Sequence, residues 1–424
     1  MNNISQISIF EYREIENLGD LERLKIFFEN IDNDKLCEKL ERRRKNGRND
    51  YPVRTMLNLI YAMKIFGHRS VESFRRELSR NSQLRIACGL SEGKYKYLRE
   101  RKHLIPPARV FIGFLNKLKD CKTEIEEIFE ELVKFMYENL EGFGEECAID
   151  GKFLDTYASK NNKNKCNDNR AEHEATFSCK TYEMKDGSKK QEWHYGFRAH
   201  IICDAKYGLP IKSKVTPANN SEQTELDNLL KEMQNNDKEQ YKLEKMKNLM
   251  GDAGYDNGSR NKRIKEEYNV NPIIDIVHRW DKTEKYREIE NQPIAYTEEG
   301  EVFYIVDLNN YEKMKYLGYD KENSALRYTR YNTGKKIYRI PLETDYRIFT
   351  SVARDSKKFK KKYKMRTEIE RLNGRIDRDY MFNDHFIRGQ KKMELMLNLT
   401  FIVMLTIAKG HIKNKQENIR SLVA

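Results

Sequence analysis

Apolar residues recur at helical spacing through the first third of the chain. Met56, Leu57, Leu59, Ile60, Met63, Ile65 and Phe66 form one run, and Val110, Phe111, Phe114, Leu115 and Leu118 another. Residues 1–140 therefore read as helical. Ser70, ahead of Val71-Glu72-Ser73-Phe74, has the side chain to cap a helix. Pro106-Pro107 closes one segment and opens the next. From about residue 147 the period shortens. Residues 147–157 read as a strand, and 194–204 and 210–215 as a hairpin about Lys206-Tyr207-Gly208. The polar, lysine-rich stretch 159–192 predicts an exposed loop. Residues 221–233 carry Leu226, Leu229, Leu230 and Met233 at helical spacing. They are followed by a strand at 247–252, a helix at 259–268 and a strand at 272–277.

Three strands, a helix, a strand, a helix and a strand suit a mixed sheet. The first three form an antiparallel meander, and the later ones pair in parallel through right-handed crossovers. This is the element order of a ribonuclease H-like α/β fold. Between 279 and 350 the scheme is interrupted. Tyr, Val and Ile alternate with polar residues at 302–306, 326–331 and 336–340, with turn residues Asn332-Thr333-Gly334 between the last two, which predicts a β-rich insertion. Residues 364–378 and 391–412 then read as helices, the second largely buried. The longest apolar stretch, 395–408, is interrupted by Asn398 and falls short of the roughly 20 residues a bilayer requires.

Charge adds a partner to this picture. The chain of 424 residues has 80 Lys plus Arg against 67 Asp plus Glu, a formal net charge of +13. Such an excess favours polyanions, because neutralised phosphates release counterions. The densest basic run is 357–366. Seven cysteines, none in a C-x-x-C pair, argue against a disulfide framework or a zinc site and for a reducing compartment. The first twenty residues lack a basic start followed by an apolar core, so a secretory signal is not expected. These features predict a cytoplasmic protein without a membrane partner.

Three acidic residues have settings that suit metal-dependent cutting of phosphodiesters. Asp150 follows the apolar run Cys147-Ala148-Ile149, Asp252 follows Leu249-Met250-Gly251, and Glu370 lies in the helical stretch after the basic run. Carboxylates at strand ends can converge at one sheet edge, and a helix can add a third. Like charges gathered in this way serve chiefly to hold hard divalent cations. Two such ions about 4 Å apart can activate the attacking oxygen and stabilise the leaving one. Tyr363, Arg366, Glu370 and Asp377 are spaced to share one helix face, beside an apolar stripe of Ile369, Leu372 and Ile376. Taken singly, each feature has a plainer reading: an i, i+4 ion pair for Arg366 and Glu370, and turn residues for the aspartates. His200 is either close to the site or packed structurally in its strand. Trp280 either stacks on a base or belongs to a core.

At this point the sequence resembles the DDE transposases of bacterial insertion sequences. Their signature Y-x2-R-x3-E-x6-K is matched by Tyr363, Arg366 and Glu370, with Asp377 where the family has lysine. Ala148-Ile149-Asp150-Gly151-Lys152 is similar to the first-aspartate block, and Gly251-Asp252-Ala253-Gly254-Tyr255-Asp256 to the second. Residues 195–222 resemble the family's hairpin and following helix, and 51–90 its N-terminal helical module. The resemblance implies that Asp150, Asp252 and Glu370 are catalytic and bind two Mg²⁺ or Mn²⁺ ions. It implies DNA-phosphate contacts by Tyr363 and Arg366, and the surrounding charge adds Lys360, Lys361, Lys362, Lys364 and Arg378. The reaction implied is 3′-end cleavage at terminal inverted repeats, then strand transfer into target DNA, by a homodimer on double-stranded DNA. The expected organisation is a helical N-terminal domain at 1–140 for DNA binding or dimerisation, a catalytic domain at 141–278 and 351–424, and the insertion at 279–350. Two alternatives stay open: a ribonuclease H-like nuclease or resolvase, and a domesticated DNA-binding protein that no longer cuts.

Overall fold

The computed structural model describes residues 20–44, 51–90, 104–159, 172–184, 186–307, 310–331 and 336–420. Parts of the helical reading of 1–140, part of the 159–192 loop and the Asn332-Thr333-Gly334 turn lie outside the described residues.

Helices lead: α1 (Asp20–Asn30), α2 (Asp34–Arg42), α3 (Val53–Ile65), α4 (Val71–Arg80), α5 (Ser82–Ala87), α6 (Ala108–Lys119) and α7 (Lys122–Asn139). Ser70 caps α4 by accepting from the Ser73 amide, and Pro107 stands immediately before α6. The central sheet contains β1 (Glu146–Asp155), β2 (Thr176–Glu183), β3 (Lys189–Asp204) and β4 (Pro210–Pro217). After α8 (Glu222–Asn235) and α9 (Gln240–Lys245) come β5 (Asn248–Gly251), α10 (Gly258–Tyr268) and β6 (Asn271–Ile274). Strand order is β2-β3-β1-β5-β6, with β4 also on β3. β1, β3 and β4 form the expected antiparallel meander, and β5 and β6 pair in parallel.

Two corrections concern this sheet. The stretch read as an exposed loop contains β2 and the first half of β3, paired from Thr176 opposite Gly196 to Glu183 opposite Lys189. Its outer end is solvated: residues 189–193 are all exposed, so no apolar face marks it as strand. Asp150 also does not end a strand. β1 runs on to Asp155, paired residue by residue with β3.

The insertion is an antiparallel meander: β7 (Arg287–Glu288), β8 (Ile294–Tyr296), β9 (Val302–Asp307), β10 (Asn310–Asp320), β11 (Ala325–Arg330) and β12 (Ile337–Pro341). β10, its longest strand, was not anticipated. The meander has its own core around Ile294, Val302, Tyr328, Ile340 and Phe349. Trp280 packs at the edge of this core, in T-shaped contact with Tyr296 and with Arg287 4.2 Å over its ring, which is the core role.

The chain then returns through α11 (Lys357–Lys364), α12 (Thr367–Arg378) and α13 (Gln390–Lys413). α13 is long and apolar enough to span a bilayer, yet most of it is buried inside the protein. It threads between α1, α3, α7 and β4. A Cβ at Gly410 would sit 2.3 Å from Ile26, so only glycine permits this approach of α13 to α1. One core therefore runs from the N-terminal helices through the central sheet to α13, and it fixes the sheet edge where β1 outlasts β5.

Candidate active site

Parallel pairing of β1 with β5 ends at Ala148 opposite Met250. Asp150 and Asp252 stand two residues farther along each chain, at matched positions. Neighbouring strands lie about 4.8 Å apart, so the register itself brings the aspartates together. Asp252 leaves β5 in extended conformation, and its Oδ1 accepts from the Gly254 amide at 2.9 Å. Asp150 Oδ1 accepts from the Gly151 amide at 2.9 Å, and Oδ2 from Asn373 Nδ2 at 2.7 Å. Burial pushes the Asp150 carboxyl above its ordinary range, and the charge of Asp252 adds to the push.

The third carboxylate comes from α12, which lies on β1 and β3 through buried Ile369, Leu372 and Ile376. Here the single-helix expectation fails. The segment is two helices with a break at Met365-Arg366. Tyr363 closes α11, Arg366 occupies the joint, and Glu370 lies in the first turn of α12; both joint residues keep helical dihedrals, and Arg366 still reaches Tyr363 on one side and Glu370 on the other. Arg366 Nη2 donates to Glu370 Oε1 at 2.6 Å, and the Glu370 side chain is 52% exposed. Burial works against the Arg366 charge, but Tyr363, Glu370, Asp252 and Asp150 together hold it above its ordinary value. Arg366 is thus paired directly with Glu370 and lies within electrostatic reach of both aspartates. The Tyr363 hydroxyl donates to Asp275 Oδ2 at 3.2 Å, just beyond β6, and burial pushes it up to about 12.

A groove of about 620 Å³ follows the free edge of β1 from Asp150, lined among others by Lys152, Lys180, His194, Asn373 and His385. Asp377, where a lysine was expected, faces Lys152 Nζ at 2.6 Å. The cation comes from β1 and the acid from α12. His194 stacks on Phe153 and approaches Asp155 at 3.1 Å. His200 is fully buried with Nε2 2.9 Å from Thr216 Oγ1, the structural role. In the basic run Lys360, Lys361 and Lys364 are exposed, whereas Lys362 is tied to Glu146. Arg378 is exposed at the far end of α12 and pairs with Asp379 at 2.7 Å.

Two family models match this chain. The Transposase DDE domain covers residues 141–406, from just before β1 into α13. The Transposase domain (DUF772) covers residues 11–96, whose described part includes α1 to α5. The chain belongs to the DDE transposase family. It is an insertion-sequence transposase, an enzyme that cleaves DNA and transfers strands, and members of this family use divalent metal ions.

Among the described residues of the transposase, no three His, Cys, Asp or Glu side chains are close enough to hold one ion together. The donor chemistry nevertheless suits a hard divalent cation. Asp150 and Asp252 supply oxygens at matched positions, and Glu370 supplies a third from α12, paired with Arg366. Two site neighbours were missed from the sequence. Asn373, one turn beyond Glu370, was signalled only by the polar spacing 370, 373, 377. Glu222, in the first turn of α8, had no signal of its own. Burial raises its carboxyl to about 7, with Arg198 opposing and Asp252 and Asp150 reinforcing the shift.

Proposed function

We propose that Asp150, Asp252 and Glu370 are the catalytic carboxylates of a ribonuclease H-like domain and hold two Mg²⁺ or Mn²⁺ ions. The observation that supports this reading is the β1–β5 register, with Asp150 and Asp252 two residues past its last pair on each chain and Glu370 paired with Arg366. Such ions, when bound, activate an oxygen nucleophile and neutralise charge on the leaving oxygen. Asn373 orients Asp150, and the Gly254 amide orients Asp252. Glu370 exchanges Arg366 for the metal site, which frees the guanidinium for a DNA phosphate beside the scissile bond. Tyr363 and exposed Lys360, Lys361 and Lys364 extend that contact. Lys362 contributes by holding α11 against β1 through Glu146, and Arg378 lies at the periphery.

The substrates in this reading are double-stranded terminal inverted repeats, cleaved at their 3′ ends, and target DNA, attacked by the freed 3′-hydroxyl. The basic N-terminal helices grip DNA or a second protomer, and a homodimer acts in the DNA complex, in the cytoplasm. Linear DNA carrying candidate ends, incubated with Mg²⁺ or with EDTA, tests the assignment. Wild type cuts only with Mg²⁺, and Asp252→Ala binds the same DNA without cutting. Equal cutting by Asp252→Ala would overturn it.

A further inference from the structure

Successive residues of a strand face opposite sides of the sheet. Asp150 points toward α12, where Asn373 meets it. Gly151 therefore faces the other side, and α8 lies there. A Cβ at Gly151 would come within 2.5 Å of Glu222 Oε1. A Cβ at Gly254 would come within 3.3 Å of Glu222 Oε2 and 2.9 Å of Asp252 Oδ1. The Glu222 carboxylate is thus wedged between two glycines, one next to Asp150 and the other two residues beyond Asp252. Any larger residue at 151 would expel it.

Its position is fixed from behind. Arg198 Nη1 meets Glu222 Oε1 at 3.0 Å. Arg198 is itself held by Ser178 Oγ at 3.1 Å and by the Phe153 ring, 4.2 Å beneath its guanidinium. A second feature lies beside the same turn, against Gly251. Tyr255 is fully buried, its hydroxyl has no hydrogen-bond partner among the described residues, and it lies within electrostatic reach of Glu222, Asp150 and Asp252. A buried hydroxyl left unpaired is destabilising, and a hydrated ion among these groups supplies what it lacks.

We propose that Glu222 is a fourth carboxylate of the divalent-ion site, brought in from the α8 face of the sheet through the gap that Gly151 and Gly254 leave open. The inference rests on the assignment of Asp150 and Asp252 as metal-binding residues. It makes the ion site two-sided: α12 supplies Glu370 and orients Asp150 on one face, and α8 supplies a carboxylate on the other. The site then holds ions before Glu370 leaves Arg366.

The test is Mn²⁺ binding to the full-length protein without DNA, followed by calorimetry and by electron paramagnetic resonance of free Mn²⁺. Glu222→Gln is expected to weaken Mn²⁺ binding about tenfold, the scale on which groups around a metal set its affinity, with an unchanged melting temperature. Gly151→Ala is expected to do the same while removing no carboxylate. Asp252→Asn weakens binding at least as much. Glu232→Gln, on the solvent side of α8, leaves it unchanged. Wild-type Mn²⁺ affinity in Glu222→Gln and Gly151→Ala, with Asp252→Asn impaired, would overturn the role of Glu222 and leave the aspartate site standing. A Glu222→Gln protein that melts early but binds Mn²⁺ normally would reduce Glu222 to a structural partner of Arg198. Unchanged affinity in Asp252→Asn as well would remove the aspartate site and this inference with it. If Glu222→Gln does not fold, Gly151→Ala decides.

Discussion

The aspartate edge and the glutamate helix are built in different ways. Asp150 and Asp252 are placed by backbone pairing of β1 and β5, and each carboxylate is further held by a hydrogen bond. Glu370 projects from the first turn of a helix that follows a break, half exposed, and is held by one arginine. A ladder register cannot slip without turning every side chain to the wrong face. An exposed ion pair is worth little and exchanges readily. In the proposed site, then, Asp150 and Asp252 are preformed, while Glu370 joins when a better cation than Arg366 arrives. Under that proposal, DNA and metal enter together, because the arginine released by Glu370 is then free for phosphate.

This contrast can be broken from either side. The largest effect is expected at the rigid edge. Asn373→Ala leaves the half-buried Asp150 without its α12 partner and should lower DNA cleavage by about 10–100-fold, with DNA affinity retained in a mobility-shift assay. Unchanged cleavage would show that the register alone suffices. Next is the α12–β1 tie. Asp377→Lys sets two lysines against each other where Lys152 is only 10% exposed, and should cost on the order of 1–3 kcal/mol in denaturant unfolding. The double variant Lys152→Asp with Asp377→Lys should recover most of that loss. If it recovers none, the pair contributes no coupling between α12 and β1.

At the labile side the effects are smaller. Arg366→Ala removes the guanidinium that competes for Glu370. Mn²⁺ affinity of the DNA-free protein should rise by about threefold, the scale of one weak ion pair, while DNA cleavage falls. Weaker Mn²⁺ binding would instead make Arg366 a support of the site. The smallest change is expected from Lys360→Glu with Lys361→Glu. Each lysine lost from a phosphate contact should flatten the salt dependence of DNA binding by about one unit of logarithmic slope. An unaltered slope would return these lysines to the solvated surface.

The same contrast explains what could be read from the sequence. Asp150 and Asp252 were legible because each follows an apolar run that must be buried strand, and an order of strands and helices constrains which strands are neighbours. Ile369, Leu372 and Ile376 were legible as the buried stripe of α12. β2 and the outer half of β3 were not, since strands solvated on both faces lack the alternation that marks one. β10 was hidden similarly by lysines and a glutamate among its tyrosines. The break at Met365-Arg366 has no glycine or proline, and Met365 keeps near-helical dihedrals, so nothing local announces it. Glu222 belongs to the site only because α8 crosses β1 at Gly151, a fact of tertiary packing. The two glycines that admit it stood out in the sequence only as members of the two aspartate blocks.

The central claim is that carboxylates at 150, 252 and 370 hold the same ions. Fe²⁺ substituted for Mg²⁺ in the DNA complex, with ascorbate and peroxide, cuts the polypeptide beside the residues that bind it. Cuts are expected adjacent to 150, 252 and 370, suppressed by excess Mg²⁺. Cuts confined to the two aspartates, with none beside residue 370 in the presence of DNA, would contradict it.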